Sequence, residues 1–108
     1  MQHILSRFKL KLGKTQRTKD FLEALHRNHQ TEMKEILKES HMTMDCSFID
    51  QTEHGDYVYI FKKLIDIEDL KHNIEKSPLP PYKEINAWAK ECLEGERVDL
   101  KAVAVFEE

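Results

Sequence analysis

The start of the chain alternates between apolar and charged side chains, and this period of two constrains the fold more than any other feature. Ile4 and Leu10 share one parity, whereas Arg7 and Lys9 share the other. Successive side chains of a strand point to opposite faces, so the pattern predicts a β-strand over Gln2–Leu12 with one buried face. Such a strand must pair with other strands, so the pattern predicts a sheet.

The apolar spacing then changes to three or four residues between Thr15 and about Glu39. The stripe consists of Leu22, Leu25, His29, Met33 and Ile36. This spacing predicts an amphipathic helix. About 25 residues is long for a globular helix, so we expect a bend near Asn28–Thr31. Because His26 and His29 supply only two ligands, we predict no metal site, and His29 is either a hydrogen-bonded core histidine or a ligand.

The remaining sequence predicts three strands and two helical segments. The strands are His41–Gln51, Tyr57–Lys63 and Leu100–Phe106, and the helices are Asp66–Ile74 and Tyr82–Leu93, separated by the proline segment Ser77–Pro81. Gly55 suits a hairpin turn, and Gly95 suits the end of the second of these helices. The order β-α-β-β-α-β predicts an α+β, ferredoxin-like fold with a four-stranded antiparallel sheet, strand order 4-1-3-2, and helices on one face. With 108 residues, we expect residues 1–108 to form a single domain.

Composition and motifs narrow the classes of function. The formal net charge of −3 argues against nucleic acid as a partner. No apolar run approaches the roughly 18 residues that cross a bilayer, and the start lacks the pattern of a signal peptide, so we expect a cytoplasmic protein without a membrane partner. Gly13-Lys14-Thr15 resembles the end of a P-loop, but Phe8 stands where that motif needs glycine. We therefore predict no cofactor.

Strand parity divides the side chains between a helix side and an open face. The helix side receives Ile4, Phe8, Leu10, Met42, Met44, Cys46, Phe48, Val58 and Ile60. The open face receives His3, Leu5, Arg7, Thr43, Asp45, Ser47, Tyr57, Tyr59 and Phe61. In the last predicted strand, both sets of alternating residues are apolar, so the sequence does not decide which of them lie on the open face. An aromatic face with a few polar groups suits a ligand cavity or a second sheet.

Two long segments carry a resemblance to a known superfamily. The segments SRFKLKLGKTQRTKDFLEAL and LKESHMTMDCSFIDQTEHGDYVYIF resemble dimeric α/β-barrel proteins. Within that superfamily the chain is most similar to a small family of unknown function, and distantly similar to the antibiotic-biosynthesis monooxygenase and rhamnose mutarotase groups. The resemblance implies a homodimer whose open sheet faces meet around a cavity. It also implies acidic residues at the positions of Glu39 and Asp45.

These arguments predict a small-molecule cavity on the open face. Its residues are Arg7, Asp45, Tyr57 and Tyr59, with Glu39 and His3 at the edge. Arg7 would hold an anion, and Tyr59 or Asp45 would orient the ligand. Two other interpretations stay open, a structural or regulatory homodimer with a solid core and a cofactor-free monooxygenase-like enzyme. We assign no catalytic residue, and whether the protein is an enzyme stays open.

Overall fold

The computed structural model describes residues 1–68, 70 and 79–108. Its regular elements form one sheet and a layer of helices. They are β1 (Gln2–Leu10), α1 (Thr15–Asn28), α2 (Gln30–Glu39), β2 (Met42–Thr52), β3 (Gly55–Leu64), α3 (Pro80–Cys92) and β4 (Leu93–Lys101). None of the helices in these residues is both long enough and apolar enough to cross a membrane.

The four strands lie in the order β2-β3-β1-β4, and every neighbouring pair is antiparallel. This is the predicted order read from the opposite edge, so the ferredoxin-like α+β fold is confirmed. The hairpin between β2 and β3 turns as the sequence predicts. Gly55 has a φ of +134°, and its carbonyl accepts a hydrogen bond of 2.6 Å from the Thr52 hydroxyl.

The predicted bend in the long helix lies at His29. Its backbone N–H closes α1 on the carbonyl of Leu25, and its carbonyl accepts from Met33 at the start of α2. The imidazole joins two further elements, with Nδ1 2.9 Å from Glu32 of α2 and Nε2 3.2 Å from Glu84 of α3. His29 is therefore a hydrogen-bonded structural residue, with 22% of its side chain exposed.

Two apolar clusters fill the space between sheet and helices. The first contains Ile4, Met42, Leu64, Ile67 and Leu70. The second contains Leu10, Phe21, Val58, Trp88 and Cys92. Phe21 of α1 stacks on Trp88 of α3 with ring centroids 5.4 Å apart, and the indole N–H donates to the buried Thr18 hydroxyl at 3.0 Å. This contact joins α1 to α3 over the sheet.

The last strand lies earlier in the chain than the prediction of Leu100–Phe106. The helix ends at Cys92 and the chain enters β4 at once, with no separate turn. Gly95, which was expected to end the helix, has a φ of +73° inside β4 instead. Residues 102–108 lie beyond the strand, where Val103 and Phe106 are almost fully exposed.

The segment after β3 begins with the predicted helix cap. Asp66 Oδ1 accepts a 3.0 Å hydrogen bond from the backbone N–H of Glu68, and its carbonyl accepts from Leu70. The expected continuation to Ile74 and the start of the proline segment, residues 77–78, lie outside the described residues. Leu79 lies immediately before α3 and is its N-cap residue.

Replacing His29 with glutamine should flatten the pH dependence of stability as the pH rises above about 6.5. The hydrogen bond to Glu32 raises the pKa of His29 above its ordinary 6.5, with a further contribution from Glu84 against partial desolvation. The protonated imidazole therefore stabilises the native state fully below pH 6.5, and this stabilisation is lost as the pH rises through the native pKa.

Urea unfolding at several pH values measures this effect as the free energy of unfolding. The control is His26→Gln, since His26 is an exposed histidine in the last turn of α1, three residues before His29. An equal change in slope for both variants would show that the His29 contacts have no special role.

Candidate functional site

The sheet face opposite the helices carries most of the side chains that the sequence assigns to a site. On β1 and β3 the register places Arg7 opposite Tyr59, Leu5 opposite Phe61, and Lys9 opposite Tyr57, all of them pointing away from the helices. The predicted proximity of Arg7 and Tyr59 is therefore confirmed as a cross-strand pair. We call this surface the open face.

Arg7 lies over an aromatic ring within a groove of the open face. Its guanidinium carbon is 5.4 Å from the centroid of the Tyr57 ring. Such a cation–π contact contributes about 0.5–1 kcal/mol at accessible sites. The groove has a volume of about 430 Å³, and Glu94 and Val98 of β4 line its far side. We call it the Arg7 groove.

An irregularity in β4 opens the Arg7 groove. Arg7 pairs with Val98 and Lys9 pairs with Glu94, so a single β1 residue lies opposite three residues of β4. Gly95 occupies this bulge with its left-handed φ of +73°. Bulges bend a strand and re-aim its side chains, and they are frequent beside functional sites.

The two cations of the Arg7 groove differ in their partners. Lys9 Nζ lies 3.4 Å from the Glu94 carboxylate. Arg7 makes no ion pair with any carboxylate of residues 1–68, 70 or 79–108. A guanidinium offers a planar fork of donors that matches a carboxylate or phosphate. The groove can therefore bind an anion at Arg7 with an aromatic ring beside it.

His3 lies at the edge of the open face, as predicted. Its Nε2 is 2.8 Å from Glu107, and the same carboxylate accepts a 2.8 Å contact from Lys63. These two bonds lower the pKa of Glu107, with the hydrogen bond from Lys63 contributing most. The ring of His3 is also 6.2 Å from that of Phe61. The end of the chain is thereby tied to the edge of the open face.

The assignment of Asp45 to the open face is wrong, because β2 contains a bulge. Met42 pairs with Leu64 but Met44 pairs with Lys63, so Thr43 is an extra residue in β2. One extra residue reverses the parity of everything after it. Asp45 pairs with Lys62 and consequently lies on the helix side.

The same reversal exchanges the neighbours of Asp45. Met44, Cys46 and Phe48, which were assigned to the helix side, lie on the open face, whereas Ser47 lies on the helix side with Asp45. Phe48 is 55% exposed there.

Glu39 also lies away from the open face. It is the last residue of α2 and belongs to the helix layer. Its charge acts on Tyr82, whose pKa is raised chiefly by burial, is lowered by the hydrogen bond from Ser40, and is raised further by Glu39. The Arg7 groove is therefore built from Arg7, Lys9, Tyr57 and β4, without the two acidic residues that were predicted to join it.

A polar group beneath the helices escaped the sequence analysis. Lys62 is 7% exposed, and the protein lowers its pKa, mainly by desolvation and against the attraction of Asp45. Asp99 on β4 accepts a 2.7 Å hydrogen bond from buried Ser6 and lies 2.9 Å from Arg97. The sequence does contain a signal for this group. Lys62 lies four residues after Val58, and the period of two therefore places both side chains on the buried face.

Asp45 is exposed on the edge strand, and the neighbouring protein atoms desolvate its carboxyl group only in part. Loss of hydration raises its pKa above the ordinary 3.8, and the positive charge of Lys62 opposes that shift. The described part of the chain contains no group of three or more histidine, cysteine, aspartate or glutamate residues arranged to hold a metal ion.

Comparison with known families decides where the chain belongs. A family described as "Family of unknown function (DUF6176)" matches residues 1–107. The chain belongs to this family. No curated protein matches it.

Solved structures with the same fold support the predicted resemblance. L-rhamnose mutarotase FA22100 from Formosa agariphila matches with a TM-score of 0.60 and 18% identity, over 100% of this chain and 99% of that one. A putative antibiotic biosynthesis monooxygenase from Nitrosomonas europaea matches with a TM-score of 0.57 and 14% identity, over 98% and 100%.

A third structure extends the range of similar proteins. An uncharacterized NIPSNAP domain protein from Burkholderia xenovorans has a TM-score of 0.60 and 13% identity, with 100% of both chains covered. At these identities the three likenesses establish the fold alone.

Replacing Asp45 with asparagine should stabilise the protein progressively as the pH rises above about 4. The raised pKa means that the ionised carboxylate is less favourable in the native state than in the unfolded chain. Native stability is therefore lost as the pH rises through the native pKa of Asp45, and asparagine removes that loss.

Denaturant unfolding of Asp45→Asn and wild type, compared at pH 4 to 7 in steps of about one unit, gives the difference directly. Asp50→Asn, on the same strand and exposed, serves as the control. If the stability of Asp45→Asn relative to wild type falls as the pH rises, attraction between Asp45 and Lys62 outweighs the desolvation of Asp45.

Proposed function

We propose that residues 1–108 form one domain of a homodimer, in which two open faces meet and enclose a small-molecule site at the Arg7 groove. The observation that carries the proposal is the apolar surface of the open face. Phe48 is 55% exposed, Leu100 47%, Met44 43% and Val98 39%. These residues lie on the two edge strands, β2 and β4, and Leu5 and Phe61 lie between them on the same face. Exposed apolar side chains therefore extend across the sheet, and such a surface marks an interaction site.

The fold and the resemblance support the same arrangement. Helices cover one face of the sheet and, in the described residues, leave the other without a layer. A second copy offers a surface of the same apolar character, and two-fold dimers are the commonest closed assembly. The resemblance to dimeric α/β-barrel proteins points to the same pairing.

The Arg7 groove supplies the ligand site of this dimer. Its volume of about 430 Å³ lies within the usual range of ligand pockets. Arg7 would bind an anionic group, and the adjacent Tyr57 ring would stack on a planar ligand. We therefore propose a small aromatic or otherwise planar anion as the ligand class.

Replacing Phe48 with glutamate should raise the dissociation constant of the dimer at least about a hundredfold, because the interface would bury unpaired charges. The fold itself should survive, since Phe48 is already exposed on one chain. Light scattering coupled to size-exclusion chromatography over a range of concentrations measures the dissociation.

Leu12→Glu is the matched control for this change. Leu12 is fully exposed in the turn after β1, away from the open face. A wild-type protein that stays monomeric at high concentration would overturn the dimer, and so would equal weakening by both substitutions.

Replacing Arg7 with glutamine should weaken binding of 4-hydroxybenzoate about ten- to a hundredfold, because a charge-assisted pair of hydrogen bonds is lost. The matched substitution Lys9→Gln removes the same charge from a residue already paired with Glu94 and should have a much smaller effect. Titration followed by nuclear magnetic resonance gives both dissociation constants.

The same samples test whether Arg7 is structural. Arg7→Gln should leave the dimer intact in native mass spectrometry. Loss of the dimer, or equal loss of ligand binding in the two variants, would contradict a ligand role for Arg7.

A further inference from the structure

A second and larger concavity lies on the helix side, between the bent helix and the edge strand. Its volume is about 740 Å³. Its walls come from α1 and α2 on one side and from β2 on the other. The residues are Leu22, Glu23, Leu25, His26, Arg27, Gln30, Met33, Lys34, Leu37, Asp45, Cys46 and Ser47. We call it the helix-side groove.

The bulge at Thr43 explains why this space is not filled. Without the extra residue, the parity of β2 would turn Met44 and Phe48 towards the helices, where they would pack on the apolar stripe of α1 and α2. Asp45 and Ser47 occupy those directions instead. Their shorter side chains leave the stripe uncovered, so four apolar residues of the helices stay half-buried along the groove.

The apolar wall is continuous across the bend of the helix. Leu22 and Leu25 come from α1, and Met33 and Leu37 come from α2. All four are partly exposed in the described structure. A ligand that extends along this wall would remove apolar surface from water on both helices.

Two cations stand on the helix wall of the groove. Arg27 and Lys34 are exposed, and neither makes an ion pair with a carboxylate within residues 1–68, 70 and 79–108. Glu23 lies four residues before Arg27, yet it is not within ion-pair distance of it. The β2 wall carries the opposite charge, on Asp45. On the helix wall the two cations outnumber the one carboxylate, Glu23, whereas the β2 wall carries only the acidic Asp45. An anionic group is therefore favoured at Arg27 and Lys34 and disfavoured beside β2.

We propose that the helix-side groove binds an amphiphilic carboxylate of the fatty-acid class. The alkyl chain lies along the four apolar residues, and the carboxylate faces Arg27 and Lys34. Asp45 fixes the direction of binding, because its charge disfavours the reverse orientation. This site shares no residue with the Arg7 groove, so it stands apart from the proposed dimer ligand.

Titration of the ¹⁵N-labelled protein with octanoate, decanoate and dodecanoate, each below its micelle concentration, tests the site. Resonances of Leu25, Met33 and Ser47 should shift, and affinity should rise about fourfold for each added methylene that is buried. Binding without dependence on chain length would overturn the proposal. Shifts centred on Arg7 and Tyr57 would overturn it as well, and would assign these anions to the Arg7 groove.

The double variant R27Q/K34Q tests the role of the two cations on the helix wall of the groove. It should weaken decanoate binding about tenfold at low salt, with a smaller difference at high salt. The control is K83Q/K90Q, which removes the same charge from exposed lysines of α3 that do not line the groove. Equal affinities for the two variants would overturn the role of Arg27 and Lys34. The chain-length series on wild type keeps the test independent of how the variants fold.

Discussion

The extra residue that Thr43 adds to β2 determines which of the later β2 side chains each face of the sheet presents. Side-chain direction in a strand has a period of two, so a single insertion exchanges the faces for all later residues. Phe48 consequently faces the uncovered side, and Asp45 faces the helices opposite Lys62. The exposed apolar residues of β2 on the open face and the space under the bent helix thus have one common origin. Both follow from local backbone geometry rather than from composition.

The helix layer tolerates that vacant space because it is anchored elsewhere. The stack of Phe21 on Trp88 and the hydrogen bond from the indole to Thr18 join α1 and α3. Ser40 and Tyr82 make a second buried contact, with their hydroxyl groups 3.2 Å apart, between the end of α2 and α3. Packing over β1 and β3 therefore does not depend on filling the edge beside β2.

Much of the fold could be predicted from periodicity, whereas register irregularities could not. The alternation of β1 correctly placed Arg7 on the open face, and the length of the helical stripe correctly predicted the break at His29. The bulge at Thr43 left no trace in hydropathy, because β2 carries apolar residues on one parity and short polar residues on the other. The assignment of Asp45 to the open face was wrong for that reason. The strand β4 was misplaced because Gly95 was interpreted as a helix end, although it serves the bulge beside Arg7.

The position of β2 at the edge of the sheet gives its bulge one more consequence. An edge strand presents a row of unpaired amide and carbonyl groups, which is a template for uncontrolled pairing with other chains. The displaced backbone at Thr43 interrupts the regular spacing of that row and increases its local twist. A strand of another chain that paired with β2 would lose its regular hydrogen bonding at the bulge near the start of β2. A bulge in an edge strand is one of the features that disfavour such edge-to-edge pairing in natural sheets.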